Sequence, residues 1–185
     1  MAKDVDTTKA IGTKGAKTII SKLVEIGIGK EKIRELPNEE FKNGDLEFNI
    51  NGEYYYAEAK TTMSSSGSLN QIRACSNLFI IIKHIDCFYL VTPLNVNKYV
   101  SLKKRGQHNN DKYGSVHMSC NKKIIEQYGF VDITDWSNCL TKFIKWVKQN
   151  SIPNKKRHEI MQKFDELDEK NNQIKEQILM EYGLL

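Results

Sequence analysis

Hydrophobic residues at helical spacing predict helices near both ends of the chain. An apolar stripe predicts a helix over about residues 14–28 that ends at Gly27 and Gly29; the stripe consists of Ile19, Ile20, Leu23 and Ile26. Towards the C-terminus, Asp135 precedes a helical pattern over about residues 136–149 and can cap it. Pro153 breaks this helix, and a final helix is predicted over about residues 156–182.

Alternating and continuous apolar runs predict strands between these helices. Residues 45–50 alternate, Asn51-Gly52 follows, and residues 53–60 continue the strand pattern. Asn-Gly between two such runs is a strong signal for a two-residue β-hairpin turn. Further strands are predicted over residues 78–83, 88–92 and 115–119, and Ser68 can cap a helix over about residues 69–76. Residues 30–44 are charged and contain Pro37, which favours a loop or a short irregular helix.

This order of elements predicts an α/β fold: a mixed central β-sheet flanked by helices, with a C-terminal helix. Of the 185 residues 39% are hydrophobic, which suits one ordinary globular core and argues against disorder. No apolar run approaches the length of a membrane span and the N-terminus has no apolar signal segment, so we expect a cytoplasmic protein. The spacing of the four cysteines fits no paired metal knuckle and favours reduced thiols.

The predicted hairpin gathers charged residues on one face. A two-residue turn at 51–52 places Phe48 opposite Tyr55, and Asp45 opposite Glu58. Because side chains alternate between the two faces of a strand, Asp45, Glu58 and Lys60 share a face. The other face is predicted to join the core, and it consists of Leu46, Phe48, Ile50, Tyr55, Ala57 and Ala59.

This charged face has the groups needed for metal-assisted phosphodiester hydrolysis. Two opposed carboxylates repel each other unless a proton or a cation lies between them, and oxygen ligands of this kind suit Mg²⁺. The metal would polarise the phosphate and supply hydroxide, while Lys60 stabilises the developing negative charge. The alternative is a structural one, in which a solvent-facing hairpin pairs Glu58 with Lys60 or Lys42.

Gly44-Asp45, followed after twelve residues by Glu58-Ala59-Lys60, resembles the signature of the PD-(D/E)xK nuclease superfamily. That superfamily includes most type II restriction endonucleases and the Holliday junction resolvases, and the resemblance covers about residues 12–95. It implies that Asp45, Glu58 and Lys60 are catalytic, and that Asp45, Glu58 and the carbonyl of Ala59 bind Mg²⁺. Gln71 corresponds to a glutamine that many members place near the active site. The proline that usually precedes the aspartate is Gly44 here.

Many members also carry a glutamate just after a glycine in the first helix. Here Gly15 is followed by Ala16 and Lys17, and Glu25 lies on the opposite side of the predicted helix. A third carboxylate ligand therefore stays open among Glu35, Glu39, Glu40 and Glu47.

Positive charge is concentrated between Lys98 and Lys123. Seven basic residues against one acidic residue give +6 in this segment, compared with +5 for the whole chain. Amide side chains suit base edges and lysines suit phosphates, although a solvated basic loop is the alternative. The predicted DNA-binding residues are Arg73, Lys103, Lys104, Arg105, Gln107, His108, Asn109, Asn110 and Lys112.

The final helix has a heptad pattern. Residues at steps of four and three form an apolar seam with one asparagine, in the order Ile160, Phe164, Leu167, Asn171, Ile174 and Ile178. Such a seam joins two copies in a parallel dimer or packs on the core of its own chain.

We therefore expect a nuclease domain over residues 1–150 and a C-terminal helix, a candidate for dimerisation, over residues 151–185. The expected protein is a homodimeric, Mg²⁺-dependent type II restriction endonuclease that cuts double-stranded DNA at a short sequence. A structure-selective nuclease, such as a Holliday junction resolvase, and a non-catalytic nucleic-acid-binding protein are the alternatives.

Overall fold

The computed structural model describes residues 5–37, 40, 44–72, 78–101 and 116–181. The chain divides into two compact units, Met1–Ile152 and Pro153–Leu185. The first unit contains the β-sheet and the second contains the last helix. Across the described part of the chain, no helix has the length and hydropathy needed to cross a membrane.

Five helices and eight strands are found within the described residues. The helices are α1 (Val5–Ile26), α2 (Pro93–Ser101), α3 (Lys122–Gln127), α4 (Leu140–Asn150) and α5 (Asn154–Glu181), with a 3-10 turn at Lys30–Lys32. The strands are β1 (Ile33–Glu35), β2 (Leu46–Ile50), β3 (Glu53–Thr62), β4 (Ser68–Ile72), β5 (Phe79–His84), β6 (Cys87–Val91), β7 (Val116–Ser119) and β8 (Val131–Asp132).

Six of the strands form one mixed sheet in the order β1-β2-β3-β5-β6-β8. Strands β3 and β5 are parallel, and every other neighbouring pair in this sheet is antiparallel. The remaining two strands, β4 and β7, form a separate antiparallel ribbon. The predicted α/β fold with a mixed sheet, flanking helices and a C-terminal helix is confirmed.

The sheet separates two apolar clusters. Helices α1 and α4 pack on one face, where Leu23, Phe48 and Phe143 are fully buried. Helix α2 and the β4–β7 ribbon pack on the other face, around Ile80 and Ile82 of β5. The burial of apolar side chains on both faces is the main source of stability for a sheet of this kind.

The β2–β3 hairpin has the predicted register. Ile50 pairs with Glu53 and Phe48 pairs with Tyr55 across a turn in which Asn51 and Gly52 both have positive φ. The residues predicted for its apolar face pack in the cluster beneath α1 and α4. A local turn signal therefore predicted the alignment of two strands correctly.

The prediction of a helix over residues 69–76 is wrong for residues 69–72, the part that the structure describes. This part belongs to strand β4, which pairs with β7, a strand more than 40 residues further along the chain. Leu69 and Ile72 are both buried although they are three residues apart, because the register shifts between them. A β-bulge therefore produced an apolar spacing that is typical of a helix.

Other boundaries and elements also differ from the prediction. Helix α1 begins earlier, at Val5, while α4 begins later, at Leu140, so Asp135 does not cap it. The later start of α4 has a tertiary cause, because Asn138 adopts a positive φ and its N–H donates to the Glu25 carbonyl at 2.9 Å. The short elements β1, α2, α3 and β8 were not predicted.

Candidate active site

The hairpin holds the Asp45 carboxylate against the backbone of β3. The backbone ladder ends at the Leu46–Ala57 pair, one residue after Asp45. The Asp45 N–H donates to the Ala57 carbonyl at 3.0 Å, and Asp45 Oδ2 accepts the N–H of Ala59 at 2.8 Å. The side chain thus takes the place of a backbone acceptor beside β3, which fixes one carboxylate oxygen.

Gly44 allows the chain to enter this position. Its φ of +124° lies outside the range that proline can adopt, and a Cβ atom there would lie 2.9 Å from the Ala57 carbonyl oxygen. A glycine at this position therefore has a physical reason, which is the backbone conformation required at the entrance to β2.

Glu58 and Lys60 lie together on the opposite face of β3 from the α1–α4 cluster. They pair with Ile80 and Ile82 of β5, whose side chains pack on the α2 and ribbon side. Lys60 Nζ lies 2.6 Å from Glu58 Oε1, and the two side chains are 18% and 27% exposed. The pair is therefore partly shielded but still reachable by solvent.

The Asp45 carboxyl is electrostatically linked to both of these residues. The pKa of Asp45 is raised to about 6. Burial is the largest cause, and the negative charge of Glu58 is the second. Lys60 and the Ala59 N–H act in the opposite direction and lower the pKa of Asp45, but they do not offset burial. The three predicted residues thus interact electrostatically, and the positive charge of Lys60 does not offset the burial of Asp45 and the negative charge of Glu58.

The donor set suits Mg²⁺ better than a softer metal. The predicted ligands are the carboxylate oxygens of Asp45 and Glu58 and the backbone carbonyl of Ala59. Within the described ranges, no group of three or more His, Cys, Asp or Glu side chains is arranged to hold a metal ion. A two-carboxylate site is still sufficient for Mg²⁺, which commonly binds one or two carboxylates and keeps several of its waters.

The four candidates for a third carboxylate differ in their partners. Arg34 binds Glu40 through both guanidinium NH groups at 3.0 Å and binds Glu47 through Nε at 3.1 Å. Glu39 lies outside the described residues. Glu35 contributes to the raised pKa of Asp45, so the Asp45 carboxyl senses its charge.

Helix α1 approaches β3 next to the candidate site through Gly15. Gly15 packs on Thr61, and a Cβ atom at Gly15 would lie 2.7 Å from the Thr61 Cβ. Glu25, near the other end of α1, accepts a hydrogen bond from Lys22 at 2.8 Å. The glycine of the first helix is therefore a close-packing position.

Of the remaining predicted residues, only Gln71 lies within the described part of the chain. Gln71 lies in strand β4 instead of the expected helix. All predicted DNA-binding residues fall outside the described part of the chain: Arg73, Lys103, Lys104, Arg105, Gln107, His108, Asn109, Asn110 and Lys112. The backbone N–H of Ala59 was missed as the anchor of Asp45, because sequence patterns carry no signal for a backbone donor.

Comparison with known proteins adds no relative. No protein-family model, curated protein or solved structure matches this chain. Function is therefore inferred from the hairpin geometry and its chemistry.

Proposed function

We propose that this protein is a cytoplasmic, Mg²⁺-dependent endonuclease that hydrolyses phosphodiester bonds of double-stranded DNA at a short specific sequence. The observation that carries the proposal is the Asp45 carboxyl, anchored by Ala59 N–H beside Glu58, with a pKa raised to about 6. Carboxylates that are close and insufficiently neutralised favour a cation between them. The charge arrangement therefore supports a metal-assisted hydrolase.

Each residue of the trio would have a distinct role. Asp45 and Glu58 would hold Mg²⁺ together with the Ala59 carbonyl; the bound ion supplies Lewis-acid polarisation and a more acidic water molecule. Lys60 now binds the Glu58 carboxylate at 2.6 Å, and a phosphate oxygen can take over as its partner. Lys60 would then stabilise the charge that develops on the phosphate, as well as orient the attacking water.

The position of the β4–β7 ribbon supports recognition of a sequence by the same protein. Ile72 at the end of β4 pairs with Val116 at the start of β7. Among the predicted DNA-binding residues, Arg73 directly follows Ile72 in the sequence. The others lie between Lys103 and Lys112, shortly before Val116. Arg73 and residues 103–112, whose side chains suit phosphates and base edges, thus connect in sequence to the paired end of the ribbon, which favours a site-specific enzyme over a nuclease that reads only shape.

Cleavage of plasmid and phage DNA with Mg²⁺ tests the proposal. Asp45→Asn, Glu58→Gln and Lys60→Met retain the size of each side chain, and the amide introduced by Asp45→Asn would retain an acceptor for the Ala59 N–H. The cleavage rate of each variant should fall by roughly 100-fold or more, because the substitution removes a metal ligand or a charge that stabilises the transition state. Asp86→Asn changes an exposed residue in the β5–β6 turn and serves as the matched control.

The products distinguish the alternatives. Discrete fragments that require Mg²⁺ would support site-specific cutting, whereas a smear or cleavage of branched DNA alone would favour a structure-selective nuclease. DNA binding without Mg²⁺-dependent cutting would favour a non-catalytic DNA-binding protein. Cutting by Asp45→Asn at the wild-type rate would show that the metal-site assignment is wrong.

A further inference from the structure

Helix α5 carries an apolar seam that is exposed to solvent in the single chain. Phe164 is 46% exposed, Leu167 55%, Ile174 53% and Ile178 48%. The helix is 28 residues long, and these side chains together with Asn171 recur at alternating three- and four-residue steps along it. An exposed stripe of this spacing is typical of a coiled coil that lacks its second helix.

The steps assign each residue of the seam to a heptad position. Phe164, Asn171 and Ile178 occupy a positions, and Ile160, Leu167 and Ile174 occupy d positions. The one polar member, Asn171, is therefore an a-position asparagine in the middle of the seam. This is the position at which a buried asparagine specifies register and a two-stranded assembly.

We propose that α5 forms a parallel, in-register, two-stranded coiled coil with α5 of a second copy of this chain. In that arrangement Asn171 meets Asn171 of the partner subunit, and the two amides can hydrogen-bond to each other. In an antiparallel pair an a residue meets a d residue, so Asn171 would be buried against Leu167 or Ile174. Burying an amide without a hydrogen-bond partner is unfavourable, which selects the parallel form.

The flanking charges define a test of orientation. In a parallel pair each g residue faces an e residue of the next heptad, so Lys163 faces Asp168 of the partner subunit and Lys170 faces Lys175 of the partner subunit. One contact is attractive and the other repulsive. In an antiparallel pair with Asn171 packed against Ile174, Asp168 instead lies opposite Lys175. In an antiparallel pair with Asn171 packed against Leu167, like charges lie opposite each other.

The dimer would join two candidate active sites. Residues 1–152 form a separate compact unit, and α5 begins two residues later, at Asn154. Parallel helices have their N-terminal ends side by side, so both units are attached at the same end of the coiled coil. The coiled coil itself does not depend on the proposed nuclease function; only its benefit for cutting both DNA strands does.

Sedimentation equilibrium on the full-length chain tests the proposal without DNA. The wild type should dissociate reversibly on dilution from twice the 21.4 kDa chain mass to that of one chain. Lys175→Glu should tighten the parallel dimer roughly threefold to tenfold, because it turns the repulsive contact with Lys170 into an attractive one on both sides. The antiparallel register that opposes Asp168 and Lys175 predicts weaker association for the same variant.

Seam variants provide the second measurement and its control. The double variant Leu167→Lys/Ile174→Lys should sediment as one chain with an unchanged thermal transition of the first unit. Leu179→Lys makes the same kind of change at a position outside the seam and should leave the dimer intact. A monomeric wild type at high concentration, an unaffected double variant, or weaker association of Lys175→Glu would each overturn the proposal.

Discussion

Asp45 combines firm backbone anchoring with an unfavourable electrostatic environment. Its backbone N–H and Oδ2 both bond to β3, so its position does not depend on a metal. Its pKa is raised to about 6 because burial and Glu58 disfavour the charged form. A residue that is held in place yet disfavoured when ionised is a common feature of functional sites.

We therefore predict that Asp45→Asn stabilises the metal-free protein at neutral pH. Between pH 3.8 and about 6 the folded protein keeps a proton that the unfolded chain has lost, so wild-type stability falls as pH rises through this window. The variant lacks this loss and should be up to about 3 kcal/mol more stable at pH 7, with little difference near pH 3.5. Urea unfolding measured across this pH range provides the test.

Two controls separate the site from a general charge effect. Asp86→Asn removes an exposed carboxylate and should leave the pH profile of stability as it is in the wild type. Added Mg²⁺ should stabilise the wild type by mass action but not Asp45→Asn. Equal stability of Asp45→Asn and wild type over the whole range would contradict the raised pKa.

At the scale of elements, a buried lysine ties the end of α1 to the turn between β8 and α4. Lys22 is 3% exposed, and its Nζ donates to the Thr134 carbonyl at 2.6 Å and to Glu25 Oε1 at 2.8 Å. The Asn138 N–H donates to the carbonyl of Glu25 in the same region, at 2.9 Å. The bonds to Thr134 and from Asn138 connect elements that are more than 100 residues apart in the sequence.

Lys22→Met should lower the free energy of unfolding by about 1–3 kcal/mol. Methionine can fill the space of the lysine stem, but it leaves the Thr134 carbonyl without its buried donor. Glu25→Gln is the matched control: the Glu25 side chain is 49% exposed, so the loss of its charge should cost less than about 1 kcal/mol. Chemical denaturation of the two variants measures both values, and a Lys22→Met effect no larger than that of Glu25→Gln would argue against the tie.

At the scale of the whole molecule, the two proposals together predict how DNA is cut. A dimer with two sites can cut both strands in one binding event, so supercoiled plasmid should become linear with little open-circular intermediate. Leu167→Lys/Ile174→Lys should accumulate the nicked, open-circular form, because each monomer carries one site. Gel electrophoresis over a time course distinguishes the two forms, with Leu179→Lys as the control that should still linearise the plasmid. If the double variant linearised the plasmid as the wild type does, cutting of both strands would not depend on the coiled coil.

Features that depend on residues close in the sequence could be predicted from it. Asn51-Gly52 sets the hairpin, because both turn residues accept positive φ, and its register follows from strands directly on either side. The apolar face of the hairpin and the final helix follow from periodicity alone. The association of Asp45, Glu58 and Lys60 was predicted from the same local alignment.

Only the tertiary structure decided the features that depend on distant residues. The β4–β7 ribbon replaces a predicted helix because β7 pairs with β4 from across the chain, and Asn138 delays the start of α4 because it binds Glu25 on α1. The raised pKa of Asp45 depends on burial, to which the whole packed unit contributes. Alternation and turn chemistry act over a few residues, whereas strand partners, bulges and desolvation arise from contacts that form only when the chain is folded.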